Sequence, residues 1–352
     1  MTDLKSLLPE ELEALLARLG QPKFRAKQLF SWFAKGVREL DEMTNIPKSL
    51  REALAAKGYL NTLRCLQKQV SQSDGTVKFL WELRDGNAVE TVVMRYAHGA
   101  TVCISSQVGC RMGCAFCASA IGGLVRNLTP SEMLDEVLYS QREFGEPVSN
   151  VVLMGIGEPL DNYDNVLRFL RLANHPDGLN IGMRHISLST CGLTEKFSPL
   201  AAENLQCTLA ISLHAPDDET RSRLMPANRG RGIGELLRCC EDYFAATGRR
   251  ITFEYAMIDG VNDSAAQAEA LSSLARRARA HINLIPLNHV AERAFAPSGP
   301  ERMKAFCGVL ARRGANYTVR RSLGGDVDAS CGQLRRKRER NQTEAVTRKG
   351  AE

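Results

Sequence analysis

The residues best suited to chemistry crowd into one stretch, Cys103-Ile104-Ser105-Ser106-Gln107-Val108-Gly109-Cys110-Arg111-Met112-Gly113-Cys114-Ala115-Phe116-Cys117. Cys110, Cys114 and Cys117 stand at C-x-x-x-C-x-x-C spacing. Three thiolates on one loop suit three irons of a [4Fe–4S] cubane and leave its fourth iron open for chemistry. Zinc also takes thiolates, but it wants a fourth ligand and usually ligands in pairs. Ala118 and Ser119 follow the third cysteine, and no further Cys or His stands nearby. Iron–sulfur ligation is the expected use, with zinc or unligated thiols as the alternatives.

Other polar residues gather where strands are expected to end. Met154-Gly155-Ile156-Gly157-Glu158-Pro159 puts two glycines before a carboxylate, and glycine lets a backbone approach a ligand closely. Ser189 closes one expected strand, Ser212-Leu213-His214 another, and Asn288 follows a third. Singly, each suits a cap or a satisfied polar group. On successive strand ends they suggest a ligand pocket. A last thiol, Cys331, sits in Gly325-Asp326-Val327-Asp328-Ala329-Ser330-Cys331-Gly332-Gln333-Leu334, whose acids and glycines suit an exposed loop. The remaining cysteines, Cys65, Cys191, Cys207, Cys239, Cys240 and Cys307, are expected mostly in apolar surroundings, as core or incidental thiols, and the histidines lack ligand spacing.

The elements that must hold these residues are legible. Residues 1–60 read as a small helical module: Leu12, Leu15, Leu16 and Leu19 recur at helical spacing up to Gly20. Phe24, Leu29, Phe30 and Phe33 follow, and a third helix spans 48–57. The run Lys23-Phe24-Arg25-Ala26-Lys27 either touches nucleic acid or packs Phe24 inward beneath solvated cations. Residues 61–100 change to a period of two, Val77, Phe79, Trp81 and then Val89, Thr91, Val93. Asp74-Gly75 and Asp85-Gly86 supply hairpin signals, so a β meander is expected. From 101 to 322 strands (101–106, 150–156, 185–190, 207–213, 250–257, 281–287) alternate with helices (130–144, 161–174, 233–247, 264–279). The fold class is α/β, with a partial (βα)6 barrel whose chemistry sits at the carboxyl ends of its strands. Thr129-Pro130-Ser131-Glu132 is a capping box, and 316–319 adds an edge strand. Residues 323–352 form a C-terminal loop and tail, in which Leu334–Arg340 packs five cations into seven residues. A solvated, frayed terminus and a phosphate-contacting arm are equally compatible with that run.

The 352 residues carry 44% hydrophobic side chains, enough for a sizeable core, and no stretch suits a membrane helix. Lys and Arg total 46 against 40 Asp and Glu, a mild excess of +6 that is compatible with a polyanionic partner. Met1-Thr2-Asp3-Leu4-Lys5 opens with an early acid and no apolar run, so a cytoplasmic protein is expected. Eleven cysteines without an export signal argue against a disulfide scaffold.

The cysteine spacing, Phe116 before the third cysteine and the Gly157-Glu158 strand end together resemble the radical S-adenosylmethionine (SAM) superfamily. The D-x-x-A-x-C-G-Q-L pattern around Cys331, with Cys103 seven residues before Cys110, resembles its RlmN-type adenine methyltransferases and their Cfr-type relatives. The likeness runs over nearly the whole chain and includes Phe24-Arg25-Ala26-Lys27-Gln28, Met43-Thr44-Asn45-Ile46, Arg126-Asn127-Leu128-Thr129 and Glu254-Tyr255-Ala256-Met257. It implies a radical-SAM barrel with a [4Fe–4S] cluster on Cys110, Cys114 and Cys117. It also implies SAM bound by Phe116, Gly157, Glu158, Ser189, Ser212, Leu213, His214 and Asn288. In such enzymes one SAM methylates the cysteine matching Cys331. A second SAM yields the 5′-deoxyadenosyl radical that takes hydrogen from that S-methyl group. The resulting carbon radical adds to adenine, and the thiol matching Cys103 releases the adduct by forming a disulfide with Cys331. Glu90 corresponds to the proton acceptor; its bland reading is an outward-facing strand glutamate. The implied substrates are 23S rRNA, at carbon 2 of an adenine in the peptidyl-transferase region, and tRNA at the adenosine next to the anticodon. Carbon 8, the Cfr-type outcome, is the alternative. The implied partners are a flavodoxin-like electron donor and a thiol reductant. Rivals from other classes are a non-catalytic RNA-binding protein and a radical SAM enzyme with a small-molecule substrate.

Overall fold

The computed structural model describes residues 1–288, 290–321, 323–327, 332–338 and 340; Cys331 and His289 lie outside them. The N-terminal residues fold into α1 (Pro9–Arg18), α2 (Phe24–Ala34) and α3 (Lys48–Lys57), closed by a parallel pair of β1 (Thr2–Asp3) and β2 (Gly58–Tyr59). Leu12, Leu15 and Leu16 meet Leu29, Phe30, Phe33, Leu50 and Leu54 in a core of their own. Phe24 does not join them. It begins α2, is 58% exposed, and its ring lies 5.0 Å from the Arg25 guanidinium.

The rest of the chain is organised on a ten-stranded sheet. Strands β3 (Arg64–Val70), β4 (Val77–Glu82), β5 (Ala88–Tyr96) and β6 (Gly99–Cys103) form the expected antiparallel meander. A small hairpin, β7 (Gln107–Gly109) with β8 (Leu124–Asn127), brackets the cysteine loop. Strands β9 (Val148–Leu153), β10 (Ile186–Thr190), β11 (Thr208–Ser212), β12 (Thr252–Met257), β13 (His281–Pro286) and β14 (Tyr317–Val319) then follow β6 in parallel. Helices α4 (Pro130–Phe144), α5 (Tyr163–Asn174), α6 (Phe197–Ala202), α7 (Asp218–Leu224), α8 (Gly232–Thr247), α9 (Ala265–Arg277) and α10 (Pro300–Arg312) fill the crossovers. β14 and β3 are the two ends of the sheet, which agrees with a partial barrel. The Thr129 capping box forms as read: the Glu132 amide donates to Thr129 Oγ1 at 3.3 Å, and the Thr129 amide to Glu132 Oε2 at 2.9 Å. Among the described residues no helix is long and apolar enough to cross a membrane.

A buried ion pair joins the helical module to the barrel. Lys5 Nζ lies 2.6 Å from both carboxylate oxygens of Asp135 on α4, and both side chains are buried. Burial pushes the Asp135 carboxyl up to about 7, against the pull of Lys5. Replacing Lys5 with methionine strands a buried carboxyl, and removing one partner of such a pair costs about 3 kcal/mol or more. The expected result is a lowered denaturation midpoint for K5M, with most of the loss restored in K5M/D135L; an unchanged midpoint in K5M would contradict it.

Two sequence expectations need correction here. The bland reading of Glu90 as an outward-facing strand residue fails, because Lys78, Leu80, Ala88 and Glu90 are buried alongside Phe79, Trp81 and Val89. The reason lies far along the chain: Leu334 packs on Leu80 and Ala88, and Arg338 donates to Glu82 at 2.8 Å. Residues 332–338 are thus docked rather than frayed. Cys65, expected in apolar surroundings, is exposed on β3.

Candidate active site

The cysteine loop is fastened at both ends and in the middle. Cys110 N–H donates to Gly123 O at 3.0 Å, beside the β7–β8 hairpin, and Ala115 N–H donates to Leu224 O at the end of α7 at 2.8 Å. Cys110 and Cys114 each lie close enough to Cys117 for charge on one to disfavour charge on the other. Burial pushes the Cys110 thiol up to about 12 and raises Cys114 further. Thiolates so placed need a cation. A cubane takes its thiolates at separate irons rather than at one ion. Three neighbouring thiols of this kind therefore fit three irons of a [4Fe–4S] cluster.

The glycine–glutamate strand end has a structural explanation. A Cβ on Gly155 would stand 2.5 Å from Ile104 O, and one on Gly157 2.6 Å from Gln107 Cβ. The glycines let the end of β9 lie flush on residues 104–107, with Gly155 N–H donating to Ile104 O at 3.0 Å. Glu158 is buried; its Oε1 accepts from Leu160 N–H at 2.9 Å and its Oε2 from Cys191 N–H at 2.7 Å. Burial raises this carboxyl, although both amides pull it down. What residues 157 and 158 offer a ligand is therefore backbone and the carboxylate's remaining lone pairs.

A cavity of about 240 Å³ opens beside the cysteine loop. Cys103, Phe116, Cys117, His214 and Asn288 line it, together with Arg320 and Arg321 and no acid among the described residues. The Phe116 ring meets His214 edge-on at 5.0 Å. Burial and nearby Arg221 push His214 down to about 3, so its ring is neutral. Ala256 N–H donates to its Nδ1 at 3.0 Å, which assigns the ring proton to Nε2. Ser189 and Ser212 meet at 3.5 Å. Leu213 is buried; its amide donates to Glu254 O and its carbonyl accepts from Arg221 Nε.

Sheet register sets Glu90 and Cys103 on one face. Val92 lies opposite Cys103 and Leu80 opposite Glu90, and Glu90 and Val92 are two residues apart on β5. Glu90 is 3% exposed. Its Oε2 accepts from Gly332 N–H at 2.8 Å and pairs with buried Lys78 at 2.9 Å, while its Oε1 accepts from Arg335 N–H at 2.7 Å. Gly332 in turn presses on the cysteine loop: a Cβ there would stand 2.9 Å from Ser119 N.

Two positioning residues escape sequence reasoning. Gln107 is fully buried; its Oε1 accepts from Glu158 N–H at 2.9 Å, and its Nε2 donates to Asn127 and Asp161. Arg221 on α7 is 2% exposed and gathers carbonyls from two strand ends, Cys191 O at 2.7 Å and Leu213 O at 3.1 Å, with Asn228 Oδ1 at 2.5 Å.

Comparison with known proteins agrees with this fold. The Radical SAM superfamily matches residues 104–270, and the ribosomal RNA large subunit methyltransferase N-terminal domain matches residues 2–60. A probable dual-specificity RNA methyltransferase RlmN of Desulforamulus reducens is 52% identical over 338 residues, 96% of this chain and 97% of that one. This chain belongs to the RlmN family. Another RlmN relative, from Clostridium tetani, is 48% identical over 98% of this chain and 99% of its own. A crystal structure of a radical SAM methyltransferase from Sphaerobacter thermophilus superposes with a TM-score of 0.89 at 45% identity, covering 95% of this chain and 99% of that one. The RlmN family's radical SAM fold is thus the fold described above.

Proposed function

We propose that this chain methylates carbon 2 of an adenine in the peptidyl-transferase region of 23S rRNA, and of the adenosine next to the anticodon in tRNA. The observation that carries the reading is the seat of Gly332, the neighbour of Cys331, against Ser119, two residues beyond Cys117. A carrier thiol at 331 would thereby reach the loop that holds the cluster. Cys103 and Cys117 share one cavity, which favours Cys103 as the resolving thiol. Membership of a family whose relatives are named dual-specificity RNA methyltransferases supports RNA as the substrate class. The arginines around the cavity suit a polyanion.

Cys110, Cys114 and Cys117 would hold the [4Fe–4S] cluster, which when bound supplies the electron that cleaves SAM to a hydrogen-abstracting radical. The chain's own residues do the rest. The Cys331 sulfur accepts a methyl group from one SAM and presents it as a thioether; a second SAM is the radical source. Phe116, Gly157, Glu158, Ser189, Ser212, Leu213, His214 and Asn288 form the SAM wall. Glu90 accepts the proton lost from the adenine ring. The electron released along with that proton would return to the cluster when bound. Cys103, as thiolate, attacks the Cys331 sulfur; the sulfur–carbon bond to the nucleotide breaks, its electron pair stays with the methylene carbon, which takes up a proton to become the methyl group, and a disulfide forms. A thiol reductant then resets the pair, and a flavodoxin-like protein donates the electron.

The test is anaerobic incubation of reconstituted protein with labelled SAM and unmodified 23S rRNA or tRNA, with the product nucleoside identified by mass spectrometry. 2-Methyladenosine is expected in both RNAs. 8-Methyladenosine would overturn the regiochemistry, and unlabelled RNA would overturn the function.

A further inference from the structure

The reaction proposed above uses nothing in strands β3 to β5 except Glu90. Yet β4 and β5 bury both faces, and what covers the second face is the C-terminal segment on either side of residue 331. Before that residue, Asp326 accepts from Ser71 Oγ at 2.7 Å, Gln72 N–H at 2.9 Å and Ser73 Oγ at 3.3 Å, all in the β3–β4 turn. In the same turn Asp74 Oδ2 accepts from Gly324 N–H at 2.7 Å. Although partial burial opposes it, that bond and a second from Thr76 draw Asp74 down to about 2, and Ser71 and Gln72 lower Asp326. After residue 331, Gly332 and Arg335 donate to Glu90, Leu334 enters the Leu80–Ala88 patch, and Arg338 reaches Glu82.

We propose that β3–β5 is a dock that presents the carrier residue, with the β3–β4 turn as its front anchor and Glu90, braced by Lys78, as its rear latch. The inference rests on the reading of Cys331 as methyl carrier and gives the meander a role in that reaction. The geometry makes the dock tight. Only residues 327–331 separate the anchored Asp326 from the anchored Gly332, so the chain between them spans at most about 20 Å even when extended. Glu90 Oε2 accepts from Gly332 and Lys78, which uses both lone pairs of that oxygen, and Oε1 accepts from Arg335, so the latch holds the tail through both carboxylate oxygens. Glu90 is accordingly a positioning residue for the tail as well as the proposed acceptor.

Amide hydrogen exchange on the full-length protein tests this. In E90A, exchange of residues 332–338 is expected to rise about tenfold or more, with peptides from β9–β13 unchanged. E90Q keeps an oxygen acceptor and is expected to restore part of the protection. In D326N, residues 323–327 are expected to exchange faster. Because the dock positions the carrier and does not bind RNA, D326N should lower kcat while leaving KM for RNA unchanged. Wild-type exchange of both segments in E90A and D326N would overturn the dock; if E90A fails to fold, D326N on the exposed turn decides alone. The mass of the peptide containing Cys331 separates this proposal from the carrier reading. S-methylation with an undisturbed tail in both variants overturns the dock alone. Loosened tails in the variants beside a Cys331 that is never methylated in the wild-type protein overturn the carrier role and, with it, the purpose assigned here to the dock.

Discussion

Replacing Cys331 with alanine is expected to abolish methyl transfer to RNA, a loss on the order of a thousandfold or more, as for removal of a covalent catalyst. Carbon 2 of adenine is electron-poor and carries no acidic proton, so it cannot attack a sulfonium methyl directly. A methyl group must first sit on a sulfur and be activated there, and without position 331 no thiol in the docked tail can carry it. The fold should survive the change. The anchors on either side, Asp326 on the β3–β4 turn and Gly332 and Arg335 on Glu90, do not involve the side chain at 331. The cluster ligands lie elsewhere in the chain, so iron content should match wild type. The measurement is labelled methyl incorporation into rRNA with iron and protein assayed in parallel. Unimpaired incorporation by C331A would refute the carrier role, whereas loss of iron together with activity would mean that the variant had disturbed the loop instead.

How far the fold was legible depends on how local its causes are. The parallel strands read well because each is a short apolar run closed by a turn, and helix α4 because Thr129 and Glu132 cap it reciprocally. The β7–β8 hairpin was missed because its strands of three and four residues are too short to show a period. The second buried face of β4 and β5 was missed for a different reason. Leu80, Ala88 and Glu90 are covered by residues more than 240 positions later, and no window of sequence contains both partners. The same remoteness explains the basic tail. Arg335 and Arg338 look like a solvated run until the meander that receives them is in place. Phe24 errs the other way, since its helical spacing is right but it opens α2 at the surface.

For the candidate site, residue type and spacing picked out the thiols because thiol chemistry needs few partners to be recognised. They did not disclose what holds the strand ends together. Arg221 in Asp218-Glu219-Thr220-Arg221 reads as an ordinary surface charge, and only the parallel pairing of β10 with β11 brings together the strand ends whose carbonyls, Cys191 O and Leu213 O, it gathers. Gln107 likewise hides in a stretch read for its cysteines. The Gly155 and Gly157 pair shows the converse. Its pattern pointed correctly to a close approach, but the nearest thing approached is the protein's own backbone at 104–107.

Replacing Cys103 with alanine is expected to do something different from C331A: product formation stops, and enzyme and RNA remain covalently joined. The steps assigned to Cys331 and Glu90 do not need this thiol, so the carbon–carbon bond to adenine should still form. Its release requires a nucleophile at the Cys331 sulfur, and no other thiol is assigned to that task. On the proposed reading Cys110, Cys114 and Cys117 are taken by the cluster. Cys191 is buried with its amide tied to Glu158, and burial raises its thiol well above the ordinary range, which suits a structural rather than a reactive group. Cys103 ends β6 on the cavity face, and the change to alanine removes one buried sulfur from a wall already open to that cavity. A small stability loss of about 1 kcal/mol is expected, too little to account for lost turnover. The measurement is a denaturing gel of C103A after one incubation with SAM and labelled RNA. Label should run with the protein, approaching one RNA per chain, and ribonuclease should trim the adduct to a nucleotide on the peptide that contains Cys331. Free methylated RNA without an adduct would show that another group resolves the intermediate and would remove Cys103 from the mechanism. Absence of both product and adduct would move its role to an earlier step. Each outcome is distinct from that of C331A, which can form no adduct at all, so the pair of variants separates the sulfur that carries the methyl group from the sulfur that releases it.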